Sequence, residues 1–156
     1  MELTGTHTLS QPPEIVWAGL FDATMLAESI PGCEDLDQTS DTTFAATVKL
    51  KIGPVSAKFK GDVELSDIVE PQSCLLSGKG SGGMAGFAKG SARLELLAEN
   101  GGTILTYTAD AALGGKLASL GSRLIQSTAN KLANEFFTNF GEVLSRRTFS
   151  NKSRQE

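Results

Sequence analysis

From Phe44 the apolar residues fall on every second position: Phe44, Ala46, Val48, Leu50 and Ile52, with Ala45, Thr47, Lys49 and Lys51 between them. After Gly53-Pro54 the alternation resumes through Val55, Ala57, Phe59, Gly61, Val63 and Leu65. Period two on both sides of a Gly-Pro turn predicts a β-hairpin with one apolar face and one wet face. The wet face carries Lys49, Lys51, Lys58 and Lys60, a row that solvation alone explains. Thr103 to Leu113 repeats the pattern after an Asn100-Gly101-Gly102 turn, with Leu105, Tyr107, Ala109, Ala111 and Leu113 on one side. Between these runs, Pro71 marks a turn, Ser73 to Ser77 reads as a short strand, and a strand from Ala85 onward runs through Ala92, Leu94 and Leu96.

The ends of the chain change period. Met1 to Ser10 reads as a strand that stops at Gln11-Pro12-Pro13. Ser10 is expected to cap a short helix over Pro13 to Phe21, and Asp22 a second one through Met25, Leu26 and Ile30. Pro31-Gly32 ends it. From Gly114-Gly115 the spacing becomes three and four: Leu117, Leu120, Leu124, Leu132, Phe136 and Phe140, widened by Ile125, Ala129, Ala133 and Phe137. This predicts one long core-facing helix to about Arg147, about 45 Å at 1.5 Å per residue. Residues 148–156 are expected to form a short polar tail, leaving a single domain over 1–147.

A strand, two short helices, several antiparallel strands and a long helix give an α+β domain in which a curved antiparallel sheet grips the C-terminal helix. A helix of that length needs a whole sheet to cover it. The inward positions include Ala46, Ala57, Gly61, Ala109 and Ala111, which leave room on a concave face. Two outcomes follow: an apolar cavity for a ligand, or a gap filled as core by Phe136, Phe137 and Phe140. For the cavity, strand and helix phase nominate Phe44, Val48, Phe59, Met84, Phe87, Tyr107, Leu120, Leu124 and Phe136 as lining. Tyr107 alone among them has a polar tip able to bond a ligand carbonyl; as plain core, its hydroxyl would reach the rim.

Composition narrows the function. The 156 residues are 40% hydrophobic and 21% charged, with a net charge of −4, a globular balance with no phosphate-neutralising cluster of the size nucleic acid needs. Cys33 and Cys74 are too few and too far apart for a zinc site or a disulfide framework and suit a reducing cytoplasm. The N-terminus has no signal-peptide pattern, and no stretch reaches the roughly 20 apolar residues that span a bilayer. A soluble cytoplasmic protein is expected, touching the inner face of the membrane only peripherally. His7 is the only histidine, neither cysteine has a histidine near it in sequence, and paired titratable groups are scarce on inward positions, so no catalytic residues, metal or cofactor are expected. Gly78-Lys79-Gly80-Ser81-Gly82-Gly83 spells spaced glycines, but strand follows where a dinucleotide fingerprint needs a helix. It reads instead as a flexible hairpin tip and a pocket mouth. Gly114-Gly115-Lys116 lacks the earlier glycine of a phosphate loop.

Several short motifs occur together. Met1-Glu2-Leu3-Thr4-Gly5, Pro12-Pro13-Glu14-Ile15-Val16-Trp17, Ile30-Pro31-Gly32-Cys33-Glu34, Leu50-Lys51-Ile52-Gly53-Pro54-Val55, Phe59-Lys60-Gly61, Ala85-Gly86-Phe87-Ala88-Lys89-Gly90 and the run from Gly114 to Arg123 resemble the carbon monoxide dehydrogenase G-subunit family. The resemblance extends to about Leu144. It implies the helix-grip fold of the START-related superfamily and an accessory role beside a molybdenum hydroxylase. That role is recruitment to the membrane respiratory chain or carriage of an apolar quinone or lipid. Many members carry a C-terminal extension; here only Asn151 to Glu156 follow, so ligand carriage or docking on the hydroxylase is expected rather than membrane anchoring.

Overall fold

The computed structural model describes residues 1–155, with side chains described as far as Arg147. Seven strands form one antiparallel sheet: β1 (Glu2–Leu9), β2 (Cys33–Gln38), β3 (Thr43–Ile52), β4 (Val55–Val69), β5 (Ser73–Ser81), β6 (Phe87–Glu99) and β7 (Gly102–Gly114). Their order across the sheet is β1-β7-β6-β5-β4-β3-β2, so every neighbour but β1–β7 is also a neighbour in sequence. Two short helices, α1 (Pro13–Leu20) and α2 (Ala23–Ser29), follow β1, and α3 (Ser122–Gln155) closes the chain. This is the expected α+β architecture, a bent sheet around a long terminal helix.

Turn chemistry sets the register. Asn100 and Gly101 both have positive φ (52° and 82°) between the paired Glu99 and Gly102, which matches strand twist in a two-residue hairpin. Gly53, at φ 58°, opens the other tight turn between the paired Ile52 and Val55. Asp22 caps α2 as expected, its Oδ1 accepting from Met25 N–H at 3.1 Å. Its other oxygen meets Arg147 Nη1 at 3.2 Å, tying α2 to α3.

Five expectations need correction. Ser10 does not cap α1: Pro12 occupies the cap position without a side-chain bond, and Ser10 Oγ lies 3.5 Å from Ser145 Oγ. β2 is an additional strand, unexpected because Cys-Glu-Asp-Leu-Asp-Gln is poor in strand formers; it exists as an edge strand held by β3. β5 runs through Gly78 and Gly80 to Ser81, beyond the expected Ser77. The long helix starts at Ser122 rather than Gly114-Gly115, because Gly121 at φ 89° breaks it from a 3₁₀ segment, Gly115–Leu120, that precedes it. The helical backbone also continues past Arg147 to Gln155; the side chains of the expected polar tail lie outside the described residues.

The two ends of the molecule are packed differently. Under the middle of α3, Phe137, Phe140, Val143 and Leu144 meet Val16, Trp17, Leu20 and Met25 and the sheet residues Leu9, Leu94 and Leu105 in a solid core. Ser29 and Thr103, the buried polar residues there, donate to Met25 O at 2.6 Å and Gln11 O at 2.7 Å. Under the N-terminal half of α3 the sheet and helix stand apart.

Candidate functional site: an apolar hollow under the terminal helix

The gap exists because the concave face is paved with small residues. Ala46 of β3 pairs with Gly61 of β4, Gly61 with Gly80 of β5, and Gly80 with Ala88 of β6, a row across four strands with almost no side-chain volume. Two rows along on the same face, Ala92 of β6 pairs with Ala109 of β7, which pairs in turn with Leu3 of β1. Larger side chains frame these rows: Phe44, Val48, Phe59, Leu65 and Leu94 from the sheet, and Leu132 and Phe136 from α3. The hollow they bound has a volume of about 560 Å³. A second hollow of about 280 Å³ joins it through shared walls at Leu3, Leu50, Phe59, Gly80 and Leu132, extending toward the start of α3. Of the side chains around the larger hollow, Tyr107 alone carries a polar atom. A larger groove of about 880 Å³ has Asp62, Glu64, Lys79, Lys89 and Asp110 in its wall, so a ligand there would meet charged side chains.

The nominated lining residues divide. Phe44, Val48, Phe59, Tyr107 and Phe136 face the larger hollow. Met84, Phe87, Leu120 and Leu124 do not line it. Met84 is 85% exposed on the 3₁₀ turn Gly83–Ala85. Phe87 is 55% exposed and lies over Gly114, because strand phase sends Ala88 inward and therefore Phe87 outward. Leu120 belongs to the 3₁₀ segment before α3, and Leu124 rests on the Gly53 turn. Sequence reasoning passed over Leu26, Ile30, Pro31 and Leu36, which form one wall from α2 and β2. The i, i+4 pair Leu26 and Ile30 carried that signal; Leu36, the lone apolar residue between acids, did not.

Aromatic stacking closes one side of the hollow. His7 stacks on Phe137 with centroids 4.3 Å apart, and Phe137 lies 5.8 Å from the Tyr107 ring. Tyr107 lies directly over Gly5: a Cβ there would sit 2.5 Å from its Cε1. Gly5→Ala must therefore push the ring toward the hollow or lift β1, at an expected cost of about 1–3 kcal/mol read by denaturant unfolding. Burial raises the pKa of the Tyr107 hydroxyl.

Burial lowers the pKa of His7. Its folded value lies below the unfolded one, so the unfolded chain binds the extra proton first. Stability is complete above the unfolded value near 6.5 and falls as pH drops below it toward the folded value. Thermal unfolding at pH 7 and pH 5 is expected to show that loss, with a smaller loss in His7→Gln. Burial also raises the thiol pKa values of Cys33 and Cys74, keeping both as unreactive thiols. Among the described residues there is no cluster of three metal-ligating side chains.

The family model for the G subunit of carbon monoxide dehydrogenase (CoxG) matches residues 5–145, which hold β2 to β7, most of β1 and every residue lining the larger hollow except Leu3. The chain belongs to the CoxG family. Among solved structures, a conserved protein from Geobacillus kaustophilus superposes with a TM-score of 0.87 at 29% identity, covering 94% of this chain and 96% of that one. A START superfamily protein from Mycobacterium smegmatis gives 0.71 at 11% identity, covering 93% and 97%. The Zhui aromatase/cyclase from a Streptomyces species gives 0.70 at 11% identity, covering 95% of each chain. The last two establish for this CoxG-family protein the START-like helix-grip fold alone. No curated protein matches the chain. No helix among the described residues is long and apolar enough to cross a membrane.

Proposed function

We propose that this chain is a non-catalytic accessory protein that carries an apolar ligand, a quinone or lipid, for a molybdenum hydroxylase of the carbon monoxide dehydrogenase type. The observation that carries the reading is the hollow of about 560 Å³, whose lining side chains are all apolar except that of Tyr107. Burying a charged or strongly polar molecule against that wall would leave its groups unpaired, at a cost of about 2–7 kcal/mol for each hydroxyl or amide. A long apolar molecule with one or two carbonyls suits it, the carbonyl meeting Tyr107. Family membership supports the hydroxylase as the client.

Native mass spectrometry of the purified protein, with lipid extraction and with added menaquinone or ubiquinone, tests the reading. A one-to-one adduct is expected. A protein that is ligand-free and ignores both quinones contradicts it.

A second reading, a docking module for the hydroxylase at the membrane with no ligand, is favoured by Lys49, Lys51, Lys58 and Lys60, all exposed on the outer face of β3 and β4. Reversing these charges and repeating a pull-down with the hydroxylase separates the readings: docking through this face fails in the variant, whereas quinone uptake persists.

A further inference from the structure

The exposed face of β6 is complementary to itself when read backwards. Ala88, Ala92, Leu94 and Leu96 point to the hollows and core, so Phe87, Lys89, Ser91, Arg93, Glu95 and Leu97 point out, and all six are exposed. About the midpoint at Ala92, Phe87 answers to Leu97, Lys89 to Glu95 and Ser91 to Arg93. Two copies of the strand laid face to face and antiparallel therefore set ring against aliphatic chain, cation against anion and a small residue against a long one. Phe87 and Leu97 are 55% and 65% exposed; among the described residues, Met84 is the one large apolar side chain more exposed than both.

The neighbouring strands fit the same arrangement. Lys89 has Lys79 and Ala112 as its ladder partners, and Ser91 has Ser77 and Asp110. At the other end Glu95 has Ser73 and Thr106, and Leu97 stands beside Ile104. No acid faces Lys89 across either ladder. Glu95 meets Arg93 of its own strand at 3.2 Å, an exposed pairing that contributes little. The other charges of this face are matched within the chain or lie at its rim. Asp62 stands opposite Lys79, Asp110 lies 3.3 Å from the Met1 ammonium, and Glu2 and Glu64 end the row that runs through Ser91. The groove of about 880 Å³ has Glu64, Ser77, Ser91 and Asp110 of that row in its wall.

We infer that the chain forms a two-fold symmetric homodimer by stacking the outer faces of β5, β6 and β7. The two-fold axis lies in the plane of contact and crosses the strands at Ala92, so each strand stacks on its own copy in the opposite direction. Lys89 then faces the second copy's Glu95, and the symmetry repeats the pair. The second copy's Arg93 lies over Ser91, where the groove receives it beside Asp110. Faces about 10 Å apart leave room for a lysine and a glutamate to meet. Stacked sheets cross at about 30°, which displaces the ends sideways; Leu97 and Ile104, side by side, give Phe87 a landing two strands wide.

The sheet bends around α3, so contact is confined to these three strands. At about 4.8 Å between strands and about 3.4 Å per residue, they offer about 500 Å² a chain and about 1,000 Å² in all. Specific interfaces begin near that size, so the dimer is weak and concentration-dependent rather than obligate. The concave face and α3 stay outside the contact, and the inference stands whether or not the hollow carries a ligand.

Sedimentation velocity of the full chain from about 1 µM to about 1 mM reads the dimer directly. The parent's weight-average mass is expected to rise with concentration from one chain toward two. Lys89→Glu sets acid against acid at both symmetric contacts, and Glu95→Lys sets base against base. Each alone is expected to weaken the dimer at least about a hundredfold. An equimolar mixture of the two variants restores an opposite-charge pair at both contacts and is expected to dimerise like the parent. Leu97→Ser, which changes no charge, is expected to weaken dimerisation at least about tenfold. A parent chain that stays monomeric at about 1 mM overturns the inference without any variant. So does a dimer that survives either charge reversal or Leu97→Ser undiminished, or a mixture that stays monomeric when circular dichroism shows both variants folded.

Discussion

Ala46→Phe combined with Ala109→Phe is expected to abolish ligand uptake while leaving a folded protein. Both alanines lie on the concave face and line the hollow, Ala109 where the hollow borders the core. A phenyl group at each site would project into empty volume, where overpacking strain is smallest. The ligand would then have to displace two rings, and affinity should fall at least about a hundredfold, about 2.7 kcal/mol. Quinone titration by intrinsic fluorescence reads the affinity, and thermal unfolding reads the fold. The same substitutions in a filled core would instead lower stability by about 1–3 kcal/mol or more and prevent a clean comparison.

Phe140→Ala is expected to do the reverse, with a stability loss of about 3–5 kcal/mol. The Phe140 side chain is fully buried. Its ring stacks near Phe136 at 5.7 Å and reaches α1, where a Cβ on Gly19 would stand 3.0 Å from its Cζ. Truncation therefore opens a void where α1, α3 and the sheet meet. A domain with about 5–15 kcal/mol of total stability loses a large part of it, which equilibrium unfolding in urea measures directly. The contrast between the two variants expresses a division along α3: the stretch from Phe140 to Leu144 fills space, and the stretch from Leu132 to Phe136 borders open space.

The sequence carried this division only in part. The hairpins were legible because period-two alternation and turn glycines agree at Ile52 to Val55 and at Glu99 to Gly102. Cavity and core stand as alternatives in the residue pattern, on the right residues. Both outcomes occur: Phe140 lies in the core, Phe136 lines the hollow, and Phe137 belongs to the core cluster while also forming part of the hollow's wall. A helical stripe specifies a face; how far the sheet bends away from each turn of that face is a tertiary quantity. The nominees on regular strands and deep in α3 reach the hollow: Phe44, Val48, Phe59, Tyr107 and Phe136. Met84, Leu120 and Leu124 lie at turns or helix starts, where positive-φ glycines at 83 and 121 reset the phase. Phe87 is a phase error within β6, visible from Ala92, Leu94 and Leu96 five, seven and nine residues on. The wall from β2 was illegible because an edge strand with one apolar residue borrows its conformation from its neighbour.

Methyl-resolved NMR during titration with a short-chain quinone tests the central claim most directly, because it reports where the ligand sits. Shifts are expected at the methyl groups of Ala46, Val48, Ala92 and Ala109, with little change at Leu105 and Leu144 in the solid core. Saturating shifts confined to Lys-bearing surface strands, or none at any hollow-facing methyl, would contradict an apolar hollow that carries ligand.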